Sequence, residues 1–403
     1  MVALSMNFLV VAFFLFLGAA ICFGLSLTGR RTEGENKGRR SSKVGFVFTI
    51  AGFLASLVYF VLRWIVAGHA PVSNMFEYMT FLGIAMSLAF IVIYFIYPSR
   101  AGVIGLFTMP TVMGLIAYAS TFSSDISPLV PSLQMPLMLK LHIITTALGQ
   151  GLLAIGFAAG LAYLIRTIDM KKKSWKTWAG WKPRILEIIM YGLMCFVGFI
   201  VASYGFQAAG YEAEFDYVNE EGLESATPMV YHLPALVGPN EGTLLTEDRM
   251  EPLFHVPGNI EASDLNTVIW SFITGFVLYW LSRLIARKRL AHLIQPLLKN
   301  INPASVDELS YRAIAIGFPV FALGGLIFAM IWAQIAWSRF WGWDPKEVWA
   351  LVTFLFYAAY LHLRIGKDWH GEKSAWLGVI GFAIIMFNLV FVNLVIAGLH
   401  SYA

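Results

Sequence analysis

Ten long apolar runs dominate the sequence, and they limit what the chain can fold into more than any other feature. The runs cover residues 7–27, 45–66, 76–96, 102–120, 142–165, 186–207, 266–286, 313–335, 347–364 and 375–397. A helix needs about 20 apolar residues to cross a bilayer, and it satisfies its own backbone hydrogen bonds in lipid. Only 13% of the 403 residues are charged, whereas soluble domains have about 25%. The sequence therefore predicts an all-α polytopic membrane protein with about ten transmembrane helices.

Basic residues are concentrated in alternate connecting segments, which predicts the orientation of these helices. The segments 28–44, 97–101, 166–185, 283–312 and 364–374 contain 23 of the 28 Lys and Arg residues. Because positive residues mark the cytoplasmic side, we expect these segments inside and both termini on the outer side. The net charge of +4 then reflects topology and contact with membrane lipid, and we expect no nucleic acid partner. The first run lacks a basic leader and precedes Gly-Arg-Arg, so we expect a retained anchor.

Three regions are expected along the chain. Residues 1–140 hold the first four helices. Residues 141–312 hold helices five to seven, an acidic outward loop over 208–265 and a basic cytoplasmic linker, and residues 313–403 hold the last three helices. His232 and His255 in the outward loop are expected to be solvated.

Cys22 and Cys195 are isolated and form no C-x-x-C pair, which argues against thiol–disulfide exchange.

The segment FWGWDPKEVW, residues 340–349, is unusually rich in tryptophan. Five of the 13 tryptophans lie between residues 332 and 349. One interpretation is an aromatic belt at the membrane interface followed by a helix start, in which Asp344 is the N-cap, Pro345 opens the helix and Glu347 completes a capping box. The other interpretation is a platform of indole faces for a large flat hydrophobic ligand, since a belt would be distributed over all the helices.

Four histidines lie at or near the apolar runs, where an ionisable side chain is costly and often functional. His142 begins the fifth run and His400 follows the last one, so both are expected on the outer side with the tryptophan segment. His362 follows Asp344 by a helical distance of roughly 27 Å, which places it near the inner side. His69 is the fourth. For each, the alternative is a hydrogen bond that only packs helices.

Two imidazoles at one depth beside aromatic rings suit haem, whose iron accepts histidine on either face. Arg339 and Arg63 are candidate partners for the haem propionates. Zinc fits less well because it needs three or four clustered ligands, and the sequence contains neither H-x-x-x-H nor C-x-x-C.

The last quarter of the chain carries a long and specific resemblance. The stretch IGFPVFALGGLIFAMIWAQIAWSRFWGWDPKEVWALVTFLFYAAYLHLR, with GLHSYA at the C-terminus, resembles the CcsA/ResC family of System II cytochrome c biogenesis proteins and its tryptophan-rich WWD signature. The stretch RWIVAGHAPVSNMFEYMTF at 63–81 and the pair Leu141-His142 fit the same family. Residues 170–300 carry no such signature.

The resemblance implies binding of haem b and assigns roles to individual residues. His142 and His400 would be its axial ligands at an outer site over the WWD segment. His362 would be a ligand within the membrane, with the opposite ligand supplied by a ResB/CcsB-type membrane subunit. The implied haem platform consists of Trp337, Trp341, Trp343, Asp344 and Trp349. The implied supporting residues are Glu347, Arg339, Arg63, Asn74 and Glu77.

The function implied by the resemblance is presentation of haem for thioether attachment to the CxxCH motif of apocytochrome c. It would take place on the outer face of the plasma membrane, or of the thylakoid membrane in a phototroph, within a haem lyase (holocytochrome c synthase) complex. One alternative is a haem exporter or chaperone without ligation chemistry. An electron-transfer cytochrome b fits less well, because His362 is the single candidate ligand at the inner depth.

Overall fold

Helices form most of the structure. The computed structural model describes residues 1–392 except 30–34, 99–100, 121, 123, 127–135, 171–176, 219–224, 226–227 and 259. The α-helices are α1 (Val2–Gly29), α2 (Glu35–Ala67), α3 (Met75–Ile96), α4 (Ala101–Ala119), α5 (Pro136–Thr167), α6 (Trp178–Ala208), α7 (Ala262–Ala286), α8 (Leu290–Ile294), α9 (Pro303–Ala322), α10 (Ala329–Trp337), α11 (Pro345–Gly366) and α12 (Glu372–Met386). A 3₁₀ turn, Gln295–Leu298, follows α8.

The prediction of ten membrane-spanning helices is confirmed for the described residues. Ten helices are long and apolar enough to cross a bilayer, and each coincides with one of the ten predicted runs. Most are longer than predicted because polar residues continue a helix beyond its apolar part. For example, α2 begins at Glu35, ten positions before the predicted run. The tenth span is described as far as Val392, and its predicted end at 397 lies outside the described residues.

Two spans contain a π-helical turn. Leu323–Phe328 is π-helical and joins α9 to α10, so that Pro303–Trp337 forms one long span. Phe387–Val392 is π-helical and continues α12. Such turns insert one extra residue into the α-helical ladder and are frequent at functional sites.

The helix α5 lies at the centre of the bundle, and most of its membrane-spanning residues are buried. It packs closely against α9, and Gly149 is one point of contact. A methyl group on Gly149 would lie 2.5 Å from the backbone nitrogen of Phe321. Small residues at such crossings let two helix backbones approach and increase their van der Waals contact, which is the main attraction between helices in lipid.

The segment between α6 and α7 contains two small sheets, which corrects the expectation of an all-α chain. Strands β1 (Ala213–Phe215) and β2 (Met229–Tyr231) pair antiparallel, and β3 (Val237–Gly238) pairs in parallel with β4 (Phe254–His255). Strands of two or three residues are too short to produce a visible alternation of polar and apolar side chains. Phe215, Tyr231 and Val237 form a small apolar core under these strands.

Side chains of α7 anchor this extramembrane segment to the bundle. Asn266 accepts a hydrogen bond from the backbone N–H of Leu236 at 2.8 Å, and the indole N–H of Trp270 donates to the carbonyl of Pro234 at 2.8 Å. His232 and His255 are both exposed, as expected, and His255 contacts the carbonyl of Pro239 at 2.8 Å. The segment is therefore attached to the start of α7.

Candidate functional site

A cavity of about 240 Å³ lies beside the first turns of α5, near the loop that joins α10 to α11. We call this loop, residues 338–344, the tryptophan loop. The cavity is open on one side and is lined by residues of α3, α5, α9, α10, α11, the tryptophan loop and both π-helical turns. Its wall consists of Val72, Ser73, Asn74, Met75, Tyr78, Leu139, His142, Ile143, Thr146, Gln150, Phe321, Gly325, Ala329, Met330, Trp332, Ala333, Phe340, Trp341, Lys346, Glu347, Ala350, Asn388 and Leu389.

His142 is held in one orientation on the cavity wall. Its Nδ1 lies 2.9 Å from the carbonyl oxygen of Gly324. A carbonyl can only accept, so Nδ1 donates, and a neutral imidazole then carries its lone pair on Nε2. The indole of Trp332 lies parallel to the imidazole, with ring centroids 5.8 Å apart and an interplanar angle of 4°. Metal-binding histidines commonly donate from the other ring nitrogen to a backbone carbonyl in this way.

The π-helical turn makes the contact with His142 possible. The Gly324 carbonyl accepts a backbone N–H from Ala329, five residues ahead, and the hydrogen bond from His142 as well. Gly324 also touches α5 directly, because a methyl group on it would lie 2.4 Å from both Thr145 Oγ1 and the backbone nitrogen of Thr146. Glycine is thus required for the two helices to meet at this point.

The tryptophan loop ends in the predicted capping box, which is confirmed. Asp344 is the N-cap of α11 and accepts the N–H of Lys346 at 3.0 Å. The carboxylate of Glu347 accepts the N–H of Gly342 at 2.7 Å and that of Asp344 at 3.2 Å. Trp343 adopts a left-handed backbone conformation, with φ of 58°. Two carboxylates therefore fix the path of the loop into α11.

The predicted platform residues occupy different surroundings. Trp341 lies on the cavity wall, and its ring meets that of Trp343 edge to face at 6.1 Å. Trp343 is 71% exposed. Trp337 packs against Trp332 at 4.7 Å, and Trp349 packs against Phe387 at 4.5 Å. Of the predicted tryptophans, one contacts the cavity directly, and two pack against the residues that build its surroundings.

Arg63, Glu77 and Asn74 form a polar cluster next to the cavity. Arg63 is 1% exposed, and its Nε lies 2.6 Å from Glu77 Oε1. It also donates to the carbonyls of Ser124 and Asp125, at 2.8 and 3.2 Å, and Asn74 donates to the same Asp125 carbonyl. The cluster ties the segment after α4 to the start of α3. Among these residues, Asn74 reaches the cavity wall.

Three other positions from the sequence analysis, Arg339, His362 and His69, do not belong to the described wall of the cavity. Arg339 is exposed, and its guanidinium covers Gly342. His362 is exposed near the end of α11, far from the tryptophan loop. His69 Nδ1 contacts the carbonyl of Ala70 at 3.0 Å. His400 lies outside the described residues. Within the described ranges, no group of three or more His, Cys, Asp and Glu is arranged to hold a metal ion.

Several wall residues were not predicted as part of the site. Trp332 was counted with the tryptophan segment but not assigned to the platform, although its spacing of five residues from Trp337 was visible. Tyr78 and Gln150, which are hydrogen-bonded at 3.1 Å, lie on separate helices and carry no motif. Lys346 belongs to the DPKE segment that predicts the helix start, and that motif gives it no role in a site. Their common position depends on helix packing, which the sequence does not display.

The comparisons with known proteins place this architecture in a functional class. Residues 265–400, which include Trp332, the tryptophan loop and α11, match the sequence family described as Cytochrome C assembly protein. Together with the ten spans, this match defines an integral membrane protein with a role in cytochrome c biogenesis.

Similarity over most of the chain identifies the family. The chain is 31% identical over 344 residues to the cytochrome c biogenesis protein CcsA of Trichormus variabilis, covering 84% of this chain and 82% of the relative. It is 28% identical to CcsA of Gloeobacter violaceus over 84% of this chain and 80% of that protein. A stretch of 98 residues, 24% of this chain and 30% of the relative, is 50% identical to CcsA of Pyropia yezoensis. The protein belongs to the CcsA family.

Proposed function

We propose that the His142 cavity binds haem b and presents it for thioether attachment to the CxxCH motif of apocytochrome c. The observation that carries this proposal is the hydrogen bond between His142 Nδ1 and the Gly324 carbonyl, at 2.9 Å. It directs the Nε2 lone pair of a neutral imidazole away from the helix backbone, and such a nitrogen is an axial ligand that haem iron accepts. In this role the protein is part of a haem lyase.

The residues present fit a haem group. The wall combines an oriented imidazole with the aromatic side chains of Tyr78, Trp332 and Trp341, which offer wide apolar contact. A volume of about 240 Å³ is below the roughly 300–1,000 Å³ of a typical enclosed ligand pocket. The described wall would therefore hold part of a macrocycle, and the remainder would stay accessible to a second protein.

Two further histidines complete the proposed haem path. His400, which lies outside the described residues, would supply a second haem ligand. His362 holds haem nearer the other end of the bundle, with an opposite ligand from a ResB/CcsB-type membrane subunit. The exposed position of His362 on α11 supports a site shared with a partner. With basic segments inside, the His142 site faces the outer side of the plasma membrane, or of the thylakoid membrane in a phototroph.

The chain contributes positioning to the chemistry. When bound, haem supplies two vinyl groups that take up the cysteine thiols of apocytochrome. His142 would hold the iron, and Trp332, whose indole lies parallel to the imidazole, would keep the imidazole plane fixed while the CxxCH motif approaches. The Asp344–Glu347 capping box fixes the loop that carries Trp341 and Trp343. Holding two reactants in a productive geometry can contribute about 7–11 kcal/mol to a reaction.

The test is the absorption spectrum of the full-length protein purified with its partner subunit. We expect His142→Gly to lose the bis-imidazole bands and to make no covalent cytochrome c, and added imidazole to restore both in part. His255→Gly, a change in the extramembrane segment, is the matched control and should match the wild type. Normal levels of mature c-type cytochrome in His142→Gly would exclude the ligand role.

A haem exporter is the second candidate, and the exposed His362 near the opposite end of α11 favours some conduction. Purified protein with its partner, haem and a CxxCH peptide separates the two functions. Ligation gives a peptide whose mass has increased by one haem and which resists acid-acetone extraction. Release of haem with an unmodified peptide indicates export alone.

A further inference from the structure

A second and larger cavity, of about 1260 Å³, lies between the α6–α7 pair and the helices α4, α5 and α12. We call it the α6–α7 cavity. Gln150 and Leu389 line both this cavity and the His142 cavity. Most of its wall is apolar, with examples on four helices in Phe157, Met190, Phe272 and Val379. Its volume exceeds the roughly 300–1,000 Å³ of a typical small-molecule pocket, and a wall of this kind suits hydrocarbon chains.

The two ends of the α6–α7 cavity differ in polarity. The wall reaches from Asp264, in the first turn of α7, to Leu297, in the 3₁₀ turn that follows α8. Neither Lys nor Arg occurs on the described wall, whereas Asp264 places a carboxyl group at the α7 end. That end offers an anionic group no attraction. An anionic ligand would therefore place its charge at the end near Leu297.

A polar clamp closes the structure around the end near Leu297. The side-chain Nε2 of Gln295 donates to the carbonyl of Ile165 at 2.9 Å and to that of Ile168 at 2.8 Å. Ile294 and Leu297, which flank Gln295 in the chain, both line the cavity. The last turn of α5 and the 3₁₀ turn are therefore held together at this rim.

Two arginines adjoin the clamp. Arg166 follows Ile165 in the last turn of α5, and Arg289 is the N-cap residue of α8. Arg166 Nε and Arg289 Nη1 are buried, and neither atom has a hydrogen-bond partner in the part of the chain that the structure describes. A buried donor without an acceptor is destabilising, and more so when it is charged. Such atoms are rare in native proteins and indicate an acceptor from outside the chain.

The acid beside Arg289 is committed to other donors. Glu187 is buried on α6 and accepts the hydroxyl of Tyr279 at 2.7 Å. It also accepts the backbone N–H groups of Leu290, at 3.3 Å, and Ala291, at 3.1 Å. Its carboxylate thus fixes the start of α8 and holds Arg289 close to the rim of the cavity.

We propose that the α6–α7 cavity binds the acyl chains of an anionic phospholipid, whose phosphate pairs with Arg166 and Arg289. A guanidinium group presents parallel N–H donors that match phosphate oxygens. Basic pockets between transmembrane helices are known recognition sites for anionic lipid head groups. The chains fill the space between the α6–α7 pair and the central helices. The lipid thereby supports α7, to which the extramembrane segment is anchored.

Dioleoyl phosphatidylglycerol and dioleoylglycerol test the head-group contact, because they share their acyl chains and differ in the phosphate. Each is added to the full-length protein in detergent, and binding is measured by native mass spectrometry. We expect the wild type to bind the phospholipid about 10-fold more tightly or better, the ratio that corresponds to one hydrogen bond with a charged group. The double variant Arg166→Gln with Arg289→Gln should lose this preference. The matched control is Lys288→Gln, an exposed cation next to Arg289, and it should keep the wild-type ratio.

Gly192 provides a separate test of the chain site. It lies on the cavity wall, and a methyl group there would meet no atom within 4 Å, so a larger side chain has room to enter the cavity. Gly192→Phe should weaken the binding of both lipids by a similar factor, and Gly192→Ala should not. Unchanged binding in Gly192→Phe would overturn the placement of the chains in the cavity.

The ratio of the two affinities within one variant is independent of the fraction of protein that is folded. Equal binding of the two lipids by the wild type, or an unchanged ratio in the double arginine variant, would overturn the phosphate site. Loss of bound phospholipid when the partner subunit is added would assign the cavity to a helix of that partner and also overturn the proposal. None of these outcomes bears on the haem site, because haem takes no part in the measurement.

Discussion

Replacing Gly324 by alanine tests the contact on which the orientation of His142 depends. The new methyl group would lie 2.4 Å from Thr145 Oγ1 and from the Thr146 backbone nitrogen, about 1 Å inside normal van der Waals separation. The backbone nitrogen cannot rotate away, so the π-helical turn must separate from α5. Overpacking of this kind costs about 1–3 kcal/mol. We expect the upper part of that range, because one of the two clashes involves backbone.

The same displacement moves the carbonyl that holds the His142 ring. A misplacement of about 1 Å can lower the rate of a positioned reaction by roughly 100-fold. The assays are thermal unfolding in detergent and the yield of covalent cytochrome c. Both values should fall in Gly324→Ala, and the haem absorption bands should weaken or shift.

Two glycines provide controls. Gly325 also lies on the cavity wall, but the atoms nearest to a methyl group there belong to the ring of Phe321, at 3.2 Å, and that side chain can shift. Gly192→Ala meets no atom within 4 Å and should be neutral or stabilising. If Gly324→Ala unfolds at the same temperature as Gly325→Ala and retains the wild-type spectrum, the close contact between α5 and the π-helical turn does not orient His142.

Three further predictions concern neighbouring parts of the molecule. Arg63→Met should destabilise the protein by about 3–5 kcal/mol, because it leaves the buried Glu77 unpaired. The double variant Arg63→Met with Glu77→Met should recover much of this loss in thermal unfolding. If the single and the double variant lose the same stability, the two residues do not act as a coupled pair. Glu347→Ala should lower the stability of the loop by about 0.5–2 kcal/mol, as loss of a helix cap does, and Glu347→Gln should lower it less. Hydrogen exchange of the loop amides measures both changes. Equal exchange rates in the two variants and the wild type would contradict the role of Glu347 in the cap. Hydrogen bonds from the Thr243 hydroxyl and N–H lower the pKa of Asp216. Their contribution to the stability of the extramembrane segment is therefore complete above about pH 4 and is lost as the pH falls through the lowered pKa. As the pH falls, proteolysis of this segment should accelerate in the wild type and depend less on pH in Asp216→Asn.

The membrane-spanning helices could be predicted from the sequence because lipid imposes one rule on every span. Runs of apolar residues located all ten, and the DPKE motif located the capping box of α11 through local hydrogen bonds. Helix ends were less accurate, since polar residues such as Glu35 continue a helix without adding to its apolar run. The strands between α6 and α7 were missed because each is only two or three residues long.

The candidate site was only partly accessible to the same reasoning. His142 and Trp341 could be found because each has an unusual chemistry for its place in an apolar chain. The partner of His142 could not, because a glycine carbonyl carries no signal in sequence and becomes an acceptor only through the π-helical turn. The ion pair of Arg63 with Glu77 joins residues 14 positions apart across a loop, and only the packed structure shows that it is buried.

The π-helical turn at Leu323–Phe328 absorbs one residue more than an α-helical turn would hold. A one-residue deletion in this turn would therefore restore a continuous α-helix and leave Trp332 and Trp337 close to their present faces. The Gly324 carbonyl, which lies 2.9 Å from His142 Nδ1, would then be drawn into the regular hydrogen-bond ladder. Such a variant would keep its indoles in place and lose the group that orients His142, which separates the two contributions to the cavity wall.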